Sequence, residues 1–184
     1  MKSPEIRHNR PNLLQSKPTP LQKKPGSMFS FFSILLYLHS LLRWLVLVSL
    51  LYALYRAYSG YSQKKSFTKI DHTARFWAVT ISHIQLTVGL ILYIKSTIPS
   101  YFWKNTSTAI HQTEALFFGL IHILLMLTAV TVITIGSALS KRKENDREKF
   151  GVMLVWFTLA LLIIFIAIPW PFSPLANRPY IRHF

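Results

Sequence analysis

Four long apolar runs decide what this chain can be. They cover roughly 29–55, 76–94, 115–138 and 150–169. A helix that crosses a bilayer needs about 20 mostly apolar residues. None of the four runs carries the continuous polar face of a helix packed on a soluble core. The pattern predicts an all-α fold, a four-helix transmembrane bundle, with helices over about 28–58, 73–95, 110–140 and 149–168. Short connections favour antiparallel, up-down neighbours. Residues 28–184 form one domain on this reading.

Local signals set the expected helix ends. Gly60 is a candidate C-cap for the first helix and Asp71 a candidate cap for the second. Pro99 is expected to break helical structure in the connection 96–109, where Tyr101, Phe102 and Trp103 form an interfacial aromatic anchor. Pro169 and Pro171 stop the fourth helix, which leaves Trp170 and Phe172 at headgroup level.

The 21 Lys and Arg against six Asp and Glu give a net charge of +15. In a soluble chain that balance would suggest nucleic acid. Here the basic residues flank the apolar runs, the ordinary signature of membrane topology, so the bilayer is the expected partner and nucleic acid is not. The first and third connections hold ten of them: Arg56, Lys64, Lys65, Lys69, Arg75, Lys141, Arg142, Lys143, Arg147 and Lys149. The second connection and the C-terminal tail hold Lys95, Lys104, Arg178 and Arg182. The imbalance places the first and third connections in the cytoplasm and both termini outside it, in a multi-pass membrane protein. Residues 1–27 are polar, basic and proline-rich, with no apolar core of a signal peptide, and are expected to be a disordered tail. Their six Lys and Arg oppose the orientation. Translation from Met28, which opens the first run, would remove the conflict.

The chain has no cysteine, which excludes disulfides, thiolate metal sites, thiol catalysis and covalent haem attachment through Cys-x-x-Cys-His. It has no glycine-rich phosphate loop, no Ser-His-Asp arrangement and no internal repeat. Nothing in it supports enzyme activity.

The polar residues inside the runs are the informative ones. His39 and Arg43 lie four apart in "LLYLHSLLRWLVLV" and share a helix face. His83 and His122 lie in the second and third runs, and a rise of about 1.5 Å per residue puts all three histidines within a turn or two of one depth. Two histidines at one level offer axial ligation to a b-type haem. Three offer a tripodal metal site. Arg43, one turn from His39, suits a haem propionate or another anion. The opposing reading is that each histidine hydrogen-bonds a neighbouring Ser, Thr or carbonyl, with Ser40, Thr80, Ser82, Thr87 and Thr128 available, and that Arg43 clamps carbonyls or snorkels. No Asp or Glu lies well inside any run, which argues against a carboxylate proton relay. Gly89 and Gly119 are candidate close-contact points between helices. Asp71-His72 reads as a cap rather than a metal contact.

The segments "LHSLLRWLVL", "SHIQLTVGLILY", "IHILLMLTAVTVITIG" and "IPWPFSPLANRPY" together resemble a family of small bacterial four-helix inner-membrane proteins, often labelled cytochrome b-like and without a settled activity. The resemblance runs from about Met28 to Phe184 and implies a bacterial inner (plasma) membrane as the location. It implies recurring polar positions at His39, Arg43, His83, Gln85 and His122. Family members commonly carry Glu before the third-helix histidine, where this chain has Ile121, so any mechanism needing a carboxylate beside His122 is weakened. Three functions follow as expectations. The first is a b-type haem protein that moves electrons in the membrane, alone or as the anchor subunit of a complex or homo-oligomer. The second is a cofactor-free structural or assembly protein. The third is a small transporter or metal-handling protein.

Overall fold

The computed structural model describes residues 28–170. The expected tail 1–27 and the C-terminal positions Pro171, Phe172, Arg178 and Arg182 lie outside the described residues. The described residues contain helices and connections and no strand. The long helices are α1 (Met28–Ser62), α2 (Lys69–Lys95), α6 (His122–Arg142) and α7 (Asp146–Ala167). Between α2 and α6 lie three short helices, α3 (Thr97–Lys104), α4 (Thr106–Ala109) and α5 (Thr113–Leu116), and a π-helical turn, Phe117–Ile121. The expected all-α bundle is what forms. α1 packs on α2 and α7, and α6 packs on α7 and α2, so the four long helices make a closed square.

The seams explain the square. On α7 the buried residues are Phe150, Met153, Phe157, Ala160, Ile164 and Ala167. On α1 they include Val46, Leu50, Ala53, Ala57 and Gly60. Spacings of three and four alternate in both, the heptad rhythm of helices that cross at a shallow angle. Away from the seams, large apolar side chains face outward, among them Ile34, Val48, Leu51, Ile94, Val155, Leu162 and Ile166. Four spans, Phe31–Ser62, Lys69–Lys95, Thr113–Arg142 and Asp146–Ala167, are long and apolar enough to cross a membrane. An outward apolar belt around a thin core fits lipid as the surrounding solvent.

Several expected boundaries move. α1 runs through Gly60 instead of ending there. Gly60 serves close packing, because a Cβ there would sit 2.3 Å from Cζ of the buried Phe150 ring. The chain leaves α1 through Lys64, which adopts a left-handed φ of 52°. The Lys65 N–H then donates to Gly60 O at 3.0 Å, the reverse-turn bond of a helix C-terminus. α2 begins at Lys69 with Thr68 as its N-cap. Asp71 is the third residue of that helix rather than its cap. Its Oδ2 accepts from the Thr68 N–H at 2.8 Å and from Thr68 Oγ1 at 2.6 Å, half of a capping box. Its Oδ1 meets Arg56 of α1 at 2.8 Å.

The connection after α2 is helical, not broken at Pro99. Pro99 is the third residue of α3, in the first turn, where a missing N–H costs nothing. Phe102 is buried and not an interfacial anchor; it packs with Ala109 and Ala115. Its ring lies against Gly119, whose added Cβ would fall 2.4 Å from Phe102 Cγ. Trp103 does stay exposed, and its Nε1 donates to Tyr93 Oη at 2.6 Å, while that hydroxyl donates to Gly119 O at 2.7 Å. The small helices thus form a cap over one end of the bundle. Trp170, after the end of α7, stacks edge-on to Trp44 at 6.2 Å.

Candidate functional site

Under that cap the four helices line a partly open cavity of about 380 Å³, at the small end of the range for organic-ligand pockets. α1 contributes His39, Ser40 and Arg43 to its wall, α2 contributes Ser82, Gln85, Gly89 and Tyr93, and α6 contributes His122 and Met126. Ser96 to Pro99 and Ile168–Pro169 line its outer end. The His39–Arg43 stripe therefore faces the bundle interior, which keeps both polar groups out of lipid.

His39 and His122 meet across this cavity. Their ring centroids are 6.5 Å apart with the planes at 72°. His122 is delivered by the π turn, and its N–H bonds back to Phe117 O. Such turns often occur at functional positions. Phe117 and Phe118 pack beside the His122 ring. Its Nδ1 lies 2.9 Å from Ala167 O at the end of α7. A carbonyl only accepts, so Nδ1 carries the proton and Nε2 keeps its lone pair. A backbone carbonyl holding one ring nitrogen is the usual support for a histidine that ligates through the other.

Gln85 organises the other ring. Its Nε2 donates to His39 O at 3.0 Å and lies 3.4 Å from His39 Nε2. The carbonyl contact fixes the orientation of the amide. His39 Nδ1 and Gln85 Oε1 are buried with no hydrogen-bond partner. Gly89 opens space on the same side, for a Cβ there would come within 3.1 Å of His39 Cε1.

His83 is elsewhere. It is exposed on the outer surface of α2. Its Nδ1 lies 3.0 Å from Val79 O and its Nε2 3.3 Å from Thr134 Oγ1 of α6. It shares the depth of the other two histidines but not their direction. Among the described residues no three His, Cys, Asp or Glu side chains come together as a metal site. The tripodal arrangement of His39, His83 and His122 is not formed. Of the residues singled out in the sequence, His39, Arg43, Gln85 and His122 converge. Tyr93 was missed, and Gly89 proves to face a site residue rather than a helix backbone. Asp71-His72 makes a helix-end network, in which His72 Nε2 lies 3.1 Å from Arg75 Nη2.

The 6.5 Å between the His39 and His122 ring centroids is close to the separation that one shared metal centre would need. Two metal–nitrogen bonds of about 2.0–2.1 Å plus the half-widths of two imidazoles add to about 6.3 Å. The apolar walls from Leu86, Phe118, Ile123 and Ile164 suit a hydrophobic group around that centre. No family model, no curated protein and no solved structure matches the chain, so the chemistry of this cavity is argued from its residues alone.

Proposed function

We propose that the chain is an integral protein of a bacterial inner membrane that holds a b-type haem between His39 and His122, within the cytochrome b-like family it resembles. The observation that carries this reading is the 6.5 Å imidazole pair inside an apolar, membrane-depth cavity. Bound haem would supply one-electron redox chemistry. The residues of the chain do the rest. Ala167 O orients the His122 ring, and Gln85 holds the His39 segment against α2. Arg43 lines the same cavity and offers its guanidinium to an anionic substituent such as a propionate. Leu86, Phe118, Ile123 and Ile164 give the cavity its apolar wall. The protein would pass electrons within the bilayer, alone or as the anchor of a larger complex, with its basic ends in the cytoplasm and both termini outside.

A second reading has its own support. Gln85 ties α2 to α1, and His122 ties α6 to α7, with bonds a cofactor-free bundle would also use. A reduced-minus-oxidised absorption spectrum of detergent-purified protein, expressed with added haem, separates the two. The haem reading expects a sharp low-spin b-type α-band that is lost in His39→Ala and in His122→Ala and kept in His83→Ala. A colourless, folded protein refutes it and leaves the polar residues as locks between helices.

A further inference from the structure

The opposite end of the bundle carries a second polar feature that the haem reading does not use. A cleft of about 620 Å³ opens there between α2, α6 and the start of α7. Lys69, His72 and Arg75 of α2 line it with Lys141 of α6 and Lys149 of α7, and no acidic residue does.

Arg75 is the unusual member. The sequence placed it with the basic residues of the first connection, yet it lies inside α2 and is only 2% exposed. Its Nη1 donates to Ser137 O at 2.6 Å, and its Nη2 faces His72 Nε2 at 3.1 Å. Its Nε is buried with no hydrogen-bond partner. Neither partner, a backbone carbonyl and an imidazole nitrogen, brings a negative charge, so the guanidinium is not compensated. The natural counter-ion is Asp71, four residues earlier on the helix, but Arg56 of α1 holds that carboxylate at 2.8 Å. Among the described residues Arg75, Lys69 and Lys141 form no ion pair, while Lys149 is held by Asp146 at 2.8 Å. A buried guanidinium without an anion is costly, and three cations converging on one cleft raise that cost. The hydroxyls at the rim, Thr73 donating to Lys69 O and Ser140 to Lys149 O, bring no negative charge to offset the cations.

We propose that this cleft binds the phosphate of an anionic phospholipid headgroup. A phosphodiester brings one negative charge and oxygens that accept from guanidinium and ammonium together. The cleft lies at the ends of membrane-spanning helices, the depth at which headgroups sit, and basic pockets between such helices suit anionic lipid. Phe76, one turn further along the Lys69–His72–Thr73 face, is 54% exposed. It meets Trp77 edge-on at 5.6 Å, giving an apolar track for an acyl chain.

The test uses the full chain, purified and delipidated in a neutral detergent. Phosphatidylglycerol and phosphatidylcholine with matched acyl chains are added separately, and inorganic phosphate is added in a third arm. Bound lipid is counted by native mass spectrometry and stability followed by thermal melting. The expected result is retention and a raised Tm with phosphatidylglycerol only. The rim variant Lys69→Gln/Lys141→Gln, exposed at both positions, should fold normally and bind about tenfold more weakly. Arg75→Gln should lose more, and the rim variant keeps the test valid if Arg75→Gln fails to fold. Equal retention of the two lipids, or an unchanged affinity in the rim variant, overturns the site. An equal effect of inorganic phosphate overturns the lipid assignment in favour of a free anion.

Discussion

Asp71 should be among the most sensitive positions in the bundle. It is 1% exposed. It receives Arg56 Nε and Nη2, both at 2.8 Å, on one oxygen and the Thr68 N–H and hydroxyl on the other. Asp71→Ala removes the N-terminal box of α2, worth about 1 kcal/mol. It also strips Arg56 of its partner. Breaking a buried pair costs about 3–5 kcal/mol, but the Arg56 side chain is 29% exposed and recovers part of that from solvent. A total near 3 kcal/mol follows for Asp71→Ala, and near 2 kcal/mol for Asp71→Asn, which keeps the acceptor for Thr68. Arg56→Gln should cost about as much as Asp71→Ala, since it strands a buried carboxylate. The assay is equilibrium unfolding in mixed micelles, with SDS mole fraction as denaturant and far-UV circular dichroism as readout. A double-mutant cycle on Arg56 and Asp71 should return a coupling of about 1.5–3 kcal/mol. A loss under about 0.5 kcal/mol in Asp71→Ala, or a coupling of zero, would show that the pair is an exposed surface contact and refute the reasoning.

Three other perturbations probe the same architecture. Lys64→Gly removes the only left-handed non-glycine φ among the described residues and should stabilise the protein by about 1 kcal/mol in the same SDS titration. Gly119→Ala forces a Cβ within 2.5 Å of Phe102 Cβ, near the ring's attachment where it cannot swing away. It should cost about 1–3 kcal/mol in the same titration, and a loss under about 0.5 kcal/mol would contradict the close contact. His83→Ala removes an exposed side chain outside the cavity and should change stability by less than about 0.5 kcal/mol, a result that a larger loss in the titration would contradict.

The spans were legible because a bilayer demands apolar runs that nothing else explains. What hydropathy could not give was direction. Depth alone made His83 equivalent to His39 and His122, but neighbouring residues on a helix point about 100° apart. The inward stripe of α2 was present as Asp71, Arg75, Ala78, Ser82, Gln85 and Gly89, alternating four and three, with small or polar residues at each step. Read as a seam, it places Ser82 inside and turns His83 out. The same stripe would have moved Arg75 from the first connection to the core. The cap between α2 and α6 was less accessible. "STIPSYFWKNTSTA" has the punctuation of a loop, and its helices exist because Phe102 finds the gap beside Gly119. Nothing local to Phe117–Ile121 announces a π turn. That turn forms where the cap joins the span and α6 begins with His122 on the cavity.

The two polar centres differ in a way that bears on the choice between a cofactor site and a set of helix locks. In a bilayer, apolar burial drives helix association weakly, so polar groups along a seam give the bundle its register. A seam that did only this would match each buried donor to an acceptor on a neighbouring helix. Along α2 part of the seam behaves so: Asp71 takes Arg56 of α1 at 2.8 Å, while Ser82 is satisfied within α2 itself, donating to Ala78 O at 2.7 Å. The mismatches fall at His39 Nδ1 and Gln85 Oε1 on one cavity and at Arg75 Nε on the other. Leaving such a group bare costs about 1–3 kcal/mol. Scattered mismatches would read as imperfect packing, whereas these lie at two openings of ligand size. Their make-up also differs, with two imidazoles, Gln85 and Arg43 among apolar walls at one end and Lys69, Arg75 and Lys141 at the helix ends at the other. Filling one should therefore leave the other unchanged. Lys69→Gln/Lys141→Gln should abolish the lipid-dependent rise in Tm without altering the haem spectrum, and His122→Ala should do the reverse. Loss of both signals in either variant would mean that the two ends are one cooperative lock and not two sites.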